Sequence, residues 1–298
     1  MWFLAKDRRI PISDLVLTDD LSTYHNMITF KSSAKLYTSE GKIETNTSQF
    51  DVCVVNQTRI DENTMKVDCV TKAVEKAFNS ITAGYTGYTT LNNLFSKLGF
   101  NYKSDYKSNN TYFCVRQYSV ITLFNELTKY ASFSNGGGAH FFMTYKGEVR
   151  GFDYKLIKEK AAVGVLSGSI LSETIKTDWR EYTPSEYELF IYDNNNKFTK
   201  ETLTLVSGYG KAAVRITDTT GVFKDATKQE LTNVFYNKWY NGHTVNVSVP
   251  MGVIPEIGTL VNLNNTGKTF IVKSVTVGYN ESQKIPSVSA TLISNPTI

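Results

Sequence analysis

The chain has 298 residues, of which 41% are hydrophobic and 20% charged, so it can bury a large core and is neither a disordered nor a collagen-like polymer. Its 32 basic and 28 acidic side chains leave a net charge of +4, which argues against a nucleic-acid binder working through a basic face. Aromatic residues reach 13%, with 18 Tyr and 17 Phe, and together with frequent Val and Thr they favour strands.

The first 75 residues read as β. Phe50, Val52 and Val54 alternate with polar positions, as do Met65, Val67 and Cys69, and a polar stretch from Asn56 to Asn63 separates the two runs. That pattern predicts a hairpin. Residues 26–30 and 34–38 are weaker strand candidates. From Val70 to Phe78 the period changes to helical. Thr90 then precedes Leu91, Leu94, Phe95 and Leu98, and Gly99 follows, which is an N-cap, an apolar stripe and a glycine stop. Val120, Phe124, Leu127 and Ala131 predict a second helix from Tyr118 to Ala131, ended by a flexible Ser132–Gly138. His140–Tyr145 and Glu148–Tyr154 read as another hairpin, while residues 155–183 give no clear period. Strands return over 186–207. The pair Thr227 and Glu230 marks a capping box for a helix over 227–241. The remaining C-terminal residues are β again.

Few residues suggest chemistry. Cys53, Cys69 and Cys114 are too few for a disulfide framework or a zinc site and fit a reducing compartment. His25, His140 and His243 stand apart from any nucleophile motif, and no metal-binding spacing occurs. Gly208–Ala213 matches G-x-G-x-x-A, but Val214–Thr217 reads as a strand where a dinucleotide loop needs a helix, so a glycine-rich turn is expected. The least polar run, Ala161–Leu171, is too short for a membrane span, and Met1–Arg9 lacks the apolar run of a leader. No catalytic, cofactor-binding or metal residues are assigned, and no enzyme activity is expected.

The C-terminal stretch carries the clearest pattern. Val245, Val247 and Val249 share one face, opposite Asn246 and Ser248. After a Pro/Gly corner, Phe270 and Val272 share one parity and Val275, Val277 and Tyr279 the other, so a bulge is expected near Lys273–Ser274. These eight apolar residues are the candidate barrel and subunit-interface positions. The corner of Gly252, Ile254, Pro255, Ile257, Gly258, Val261 and Leu263, followed by Phe270, Val272, Ser274, Val275 and Tyr279, resembles the closing barrel of phage tail and baseplate hub proteins. That family includes the central hub of T-even contractile phages and the hub part of type VI secretion spikes. Its frequent histidine is replaced here by Thr276 or Val277. The Tyr118–Ala131 helix with the hairpin after it is similar to the family's inserted α/β element.

The resemblance implies a mainly β chain with an α/β insert and two tube-like antiparallel β-barrels. On that reading residues 1–75, completed by part of 155–185, form the first barrel; 76–154 form the insert; and 186–298 form the second barrel with the embedded helix 227–241. It further implies a homotrimer whose six barrels match a sixfold tail tube to a threefold spike or tip, without cofactors. Its partners would be the tail tube protein, the central spike or tail-tip protein and the tape measure protein. The location would be the virion, after assembly in the host cytoplasm. The alternatives are a distal tail or tail-tip adaptor of the same barrel lineage, or a cell-wall-binding or hydrolysing tail-tip protein.

Overall fold

The computed structural model describes residues 1–6, 8–21, 25–46, 48–144, 146–160, 163–175, 184–208, 210–218, 222–250, 253–264, 266–279 and 286–295. The first six strands are β1 (Trp2–Ala5), β2 (Arg8–Asp20), β3 (His25–Ser32), β4 (Glu40–Glu44), β5 (Gln49–Asp61) and β6 (Thr64–Thr71). They pair antiparallel in the closed ring β1–β4–β5–β6–β3–β2–β1. Closure follows from alternation. Phe3, Ile12, Leu15, Ile28, Phe30, Ile43, Val52 and Val67 all point inward and form one buried cluster. Gly41 lets β4 pass Phe3, since a Cβ there would lie 2.3 Å from the Phe3 ring. The expected hairpin is β5–β6, although β5 continues to Asp61 and leaves only Glu62 and Asn63 for the turn. Residues 34–38 form no strand.

A group of elements after β6 packs on the outer face of this ring through Cys53 and Val70. It comprises α1 (Lys72–Phe78), β7 (Tyr85–Thr89), α2 (Leu91–Lys97), β8 (Tyr102–Lys103), β9 (Thr111–Val115), α3 (Val120–Tyr130), β10 (Ala139–Met143), β11 (Val149–Asp153) and α4 (Tyr154–Lys160). Thr90 and Ser119 accept side-chain caps from the backbone N–H groups of Asn93 and Thr122. The insert's core surrounds Phe95, whose ring contacts Phe100, Tyr102, Phe124 and Phe141. It also includes Cys53 and Val70, the outward-facing neighbours of the barrel's inward Val52 and Cys69.

The remaining strands are β12 (Val163–Leu166), β13 (Ser169–Ile175), β14 (Glu186–Tyr192), β15 (Phe198–Thr204), β16 (Lys211–Thr217), β17 (His243–Val249), β18 (Leu260–Leu263), β19 (Lys268–Tyr279) and β20 (Ser287–Ser294). Three expectations change here. Part of 155–185 does form strands, but β12 pairs with β18 and β13 with β17, not with the first barrel. β14, β15 and β16 form a separate three-stranded sheet rather than part of a C-terminal barrel. The embedded helix α5 runs over Val222–Trp239. Thr227 is therefore inside it, donating to the Phe223 carbonyl at 2.8 Å, and the Asp218 carboxylate accepts from the Lys224 N–H at 2.8 Å at its start.

Of the two tube-like barrels expected, one is the closed ring. The C-terminal strands follow the path β12–β18–β19–β20–β17–β13. Its end strands are joined through Ser167 and Gly168 rather than by a pairing, and β12 runs parallel to β18. Two long strands weld this sheet to the ring. The N-terminal part of β2 pairs with β1 and its C-terminal part with β19. Likewise β19 pairs first with β18 and then with β2. Each strand changes neighbour near a register shift, between Ser13 and Val16 in β2 and between Val272 and Ser274 in β19. Asp14 adopts φ 50° within the first of these. A bulge bends a strand and raises its twist, which is what such an exchange of partners requires.

Candidate functional site

The eight predicted residues lie on β17 and β19. Val245, Val247, Val249, Phe270, Val272, Val275 and Val277 are all buried in one core with Leu166, Leu263 and Leu292. Tyr279 is half-buried and touches both this core and that of the closed ring, as does Leu17. These side chains therefore fill the chain's own interior. The bulge expected from the change of parity in β19 is the register shift between Val272 and Ser274.

The opposite face carries a polar ladder. Asn246 donates through Nδ2 to Ser172 Oγ at 2.8 Å and accepts from Thr291 Oγ1 at 2.8 Å, linking β13, β17 and β20. At the end of β17 the His243 imidazole sits 2.6 Å from a Glu173 oxygen and edge-on to Phe270.

An edge that no sequence period reveals lies beside this ladder. β12 and β13 each pair on one side only among the described residues. Val165 is 72% exposed and Leu171 63%, and Val163 and Ile170 are exposed too. Leu171 falls in the register shift between Ile170 and Ser172 and has no partner residue in β17. Gly168 permits the approach to β17, because a Cβ would lie 2.9 Å from the Ser248 carbonyl oxygen. The Gly164–Gly168 pattern was the available signal for this turn.

A second assembly of buried polar groups joins the insert to α5. The run Gly136-Gly137-Gly138 is a packing point rather than a flexible hinge. A Cβ on Gly136 would meet Asp153 Oδ2 at 2.4 Å, and one on Gly137 would meet the Tyr236 ring at 2.3 Å. Fully buried Asn233 accepts from the Gly138 N–H at 3.1 Å and from Gln229 Nε2 at 2.8 Å. Its Nδ2 donates to the Lys129 and Ala131 carbonyls at 3.0 and 2.8 Å. Asp153 Oδ1 accepts from the N–H groups of Gly137, Lys155 and Leu156. Burial nevertheless raises its pKa to about 6, the three hydrogen bonds opposing that rise. His140 donates Nε2–H to the Leu21 carbonyl at 2.7 Å, and burial lowers its pKa to about 4. Among the described residues, no three His, Cys, Asp or Glu side chains are grouped to hold a metal ion. Among the described residues, no helix is long and apolar enough to cross a membrane.

Three solved structures resemble the whole arrangement. The tail protein from Neisseria meningitidis MC58 superposes with a TM-score of 0.63 at 11% identity, over 96% of this chain and 93% of its own. The 43 kDa tail protein of prophage MuSo2 from Shewanella oneidensis gives 0.63 at 11% identity, over 99% and 98%. The chain has the fold of phage tail proteins. The prophage tail protein gp18 from Listeria monocytogenes EGD-e extends the likeness, with a TM-score of 0.55 at 12% identity over 95% and 89%. No family model and no curated protein matches the sequence. The tail-protein fold is thus carried with little sequence in common, as expected where alternation and turn chemistry, rather than particular residues, specify strands.

Proposed function

We propose that the chain is a structural hub of a bacteriophage baseplate or tail tip, a homotrimer that joins a sixfold tail tube to a threefold spike or tip. The observation that carries this reading is the near end-to-end match with two tail proteins, 93% and 98% of whose lengths are covered. The exchange of neighbours by β2 and β19 supports it. Each chain holds the closed ring and a second, curled strand group welded to it, so three chains would present six comparable units. The exposed apolar edge of β12 and β13 supports it too, because such an edge invites a further partner. On this reading the second group acts as the other tube-like unit, and the insert faces away from the ring of subunits. Partners are the tube, spike or tip, and tape measure proteins, in a particle assembled in the host cytoplasm, and the chain performs no catalysis.

Averaged electron micrographs and native mass of the purified assembly test the proposal. Three chains per ring are expected. Six would favour a distal tail protein of the same lineage. Release of soluble fragments from peptidoglycan, lost on substitution of one carboxylate, would favour a hydrolysing tip protein.

A further inference from the structure

We propose that the groove between β9 and α5 receives an extended polypeptide strand that carries a basic side chain. The groove encloses about 880 Å³ between β9, the second half of α3 and the first half of α5. None of its lining residues is one of the eight barrel positions, and this inference does not depend on the hub reading.

Three observations define the occupant. First, β9 pairs only with β7, in a two-stranded sheet, and Thr111–Val115 make no backbone hydrogen bond to any other described element. All five of these residues line the groove, the inward Phe113 and Val115 as well as the outward Tyr112 and Cys114. Residues from both faces can line one cavity only if the strand's edge opens into it. A strand edge offers alternating N–H and C=O groups, and another strand matches that spacing. Thr111 Oγ1 is also buried there without a hydrogen-bond partner.

Second, the walls offer aromatic surface at intervals. Tyr88 and Phe223 are 60% and 58% exposed, and Tyr112, Tyr118 and Tyr130 join them in the lining. Tyr88 and Tyr112 meet edge-to-face at 5.3 Å across β7 and β9. Side chains on alternate residues of an added strand would reach these rings.

Third, the groove's charge is complementary to a cation. Two carboxylates, Glu126 and Asp225, line it against one lysine, Lys228. Glu126 has an exposed partner in Lys129 at 3.3 Å. The basic lining residue, Lys228, is ion-paired to Glu201, which also holds Lys224. Aromatic faces beside carboxylates suit a Lys or Arg side chain.

The probes are fluorescein-labelled hexapeptides of the form Thr-Lys-Xaa-Lys-Xaa-Thr, with Val, Leu, Phe or Tyr at Xaa, titrated against the full chain by anisotropy. Saturable binding is expected for at least one peptide. It should weaken roughly tenfold or more when alternate backbone amides are N-methylated, or when both lysines become glutamates. Ala226→Trp should block the groove with similar effect. Phe223→Ser, which alters an exposed side chain, should weaken binding while leaving the circular dichroism unchanged. Glu126→Lys should narrow or reverse the preference for lysine over glutamate peptides. The proposal is overturned by no saturation up to about 1 mM, or by binding indifferent to N-methylation and to Ala226→Trp. Chitohexaose bound in the groove in place of peptide, or dimers abolished by Ala226→Trp, would overturn it as well.

Discussion

Gly137 illustrates how little room single residues have at the joint between insert and helix. Its Cα faces the ring of Tyr236, which in turn stacks against Tyr240 with centroids 6.1 Å apart and meets Phe235 edge-on. Gly137→Ala should therefore cost about 1–3 kcal/mol through overpacking. Gly164→Ala, with nothing nearer than 3.6 Å, should change stability by less than about 0.5 kcal/mol. Equilibrium urea denaturation of the two variants checks the contrast; equal midpoints would contradict this account. Two buried ionisable groups at the same joint have opposing pH effects. Asp153, raised to about 6 from 3.8, binds its proton more tightly in the folded chain, so its contribution falls as pH rises from about 4 to 6. His140, lowered to about 4 from 6.5, binds its proton more tightly when unfolded, so its contribution rises as pH climbs from about 4 to 6.5. Each amounts to about 3 kcal/mol, and between pH 4 and 6 they largely cancel. Asp153→Asn should unmask the histidine and give stability that climbs steeply across that window. Denaturation at several pH values would show a flat profile for the variant if this balance were wrong.

At the scale of elements, what was legible in the sequence tracks what each strand or helix faces. Val245, Val247 and Val249 alternate cleanly because β17 has one wholly buried face and one polar ladder. The bulge in β19 was legible from the change of parity between Val272 and Val275. The reason for it was not, since the exchange of β18 for β2 is a pairing between residues distant in sequence. β13 was illegible because Ser169–Thr174 are exposed on both faces and leave no period 2. The first turns of α5 lie outside the predicted helix because Val222–Ala226 fully bury no side chain, so no apolar stripe marks them. The glycine run reads as flexible in the sequence because composition cannot distinguish freedom from close packing. β17 also offers the clearest mutational test. Val247 is fully buried in the same cluster as Val272 and its cross-strand partner Ala290. Val247→Asp would bury an unpaired carboxylate at a cost of several kcal/mol, comparable to the whole stability of a domain. Loss of the cooperative thermal transition, or aggregation on expression, is expected; a soluble variant with a native melting profile would refute the assignment of β17 to the core.

For the molecule as a whole, the question is which surface can join copies of the chain. Each of the ring's six strands pairs on both sides over at least part of its length, and where β5 continues past Cys53 with β6 alone it carries Arg59 and Asp61. The β12–β13 border differs: it is unpaired on one side, and it combines exposed Val163, Val165, Ile170 and Leu171 with no described charged residue before Glu173. Native proteins usually guard such a border with charges or proline, so an unguarded one implies a partner. If it joins neighbouring hubs, Val165→Lys with Leu171→Lys should prevent trimer formation. Both side chains are mostly exposed in the single chain, so the double variant should retain its fold within about 1 kcal/mol. Sedimentation equilibrium should then give one chain for the variant and three for the native protein, with matching circular dichroism. A variant that remains a trimer would move the interface elsewhere. A native protein that stays monomeric through the concentrations at which tails assemble would remove the hub reading, while leaving the tail-protein fold and the groove at β9 to be judged by their own measurements.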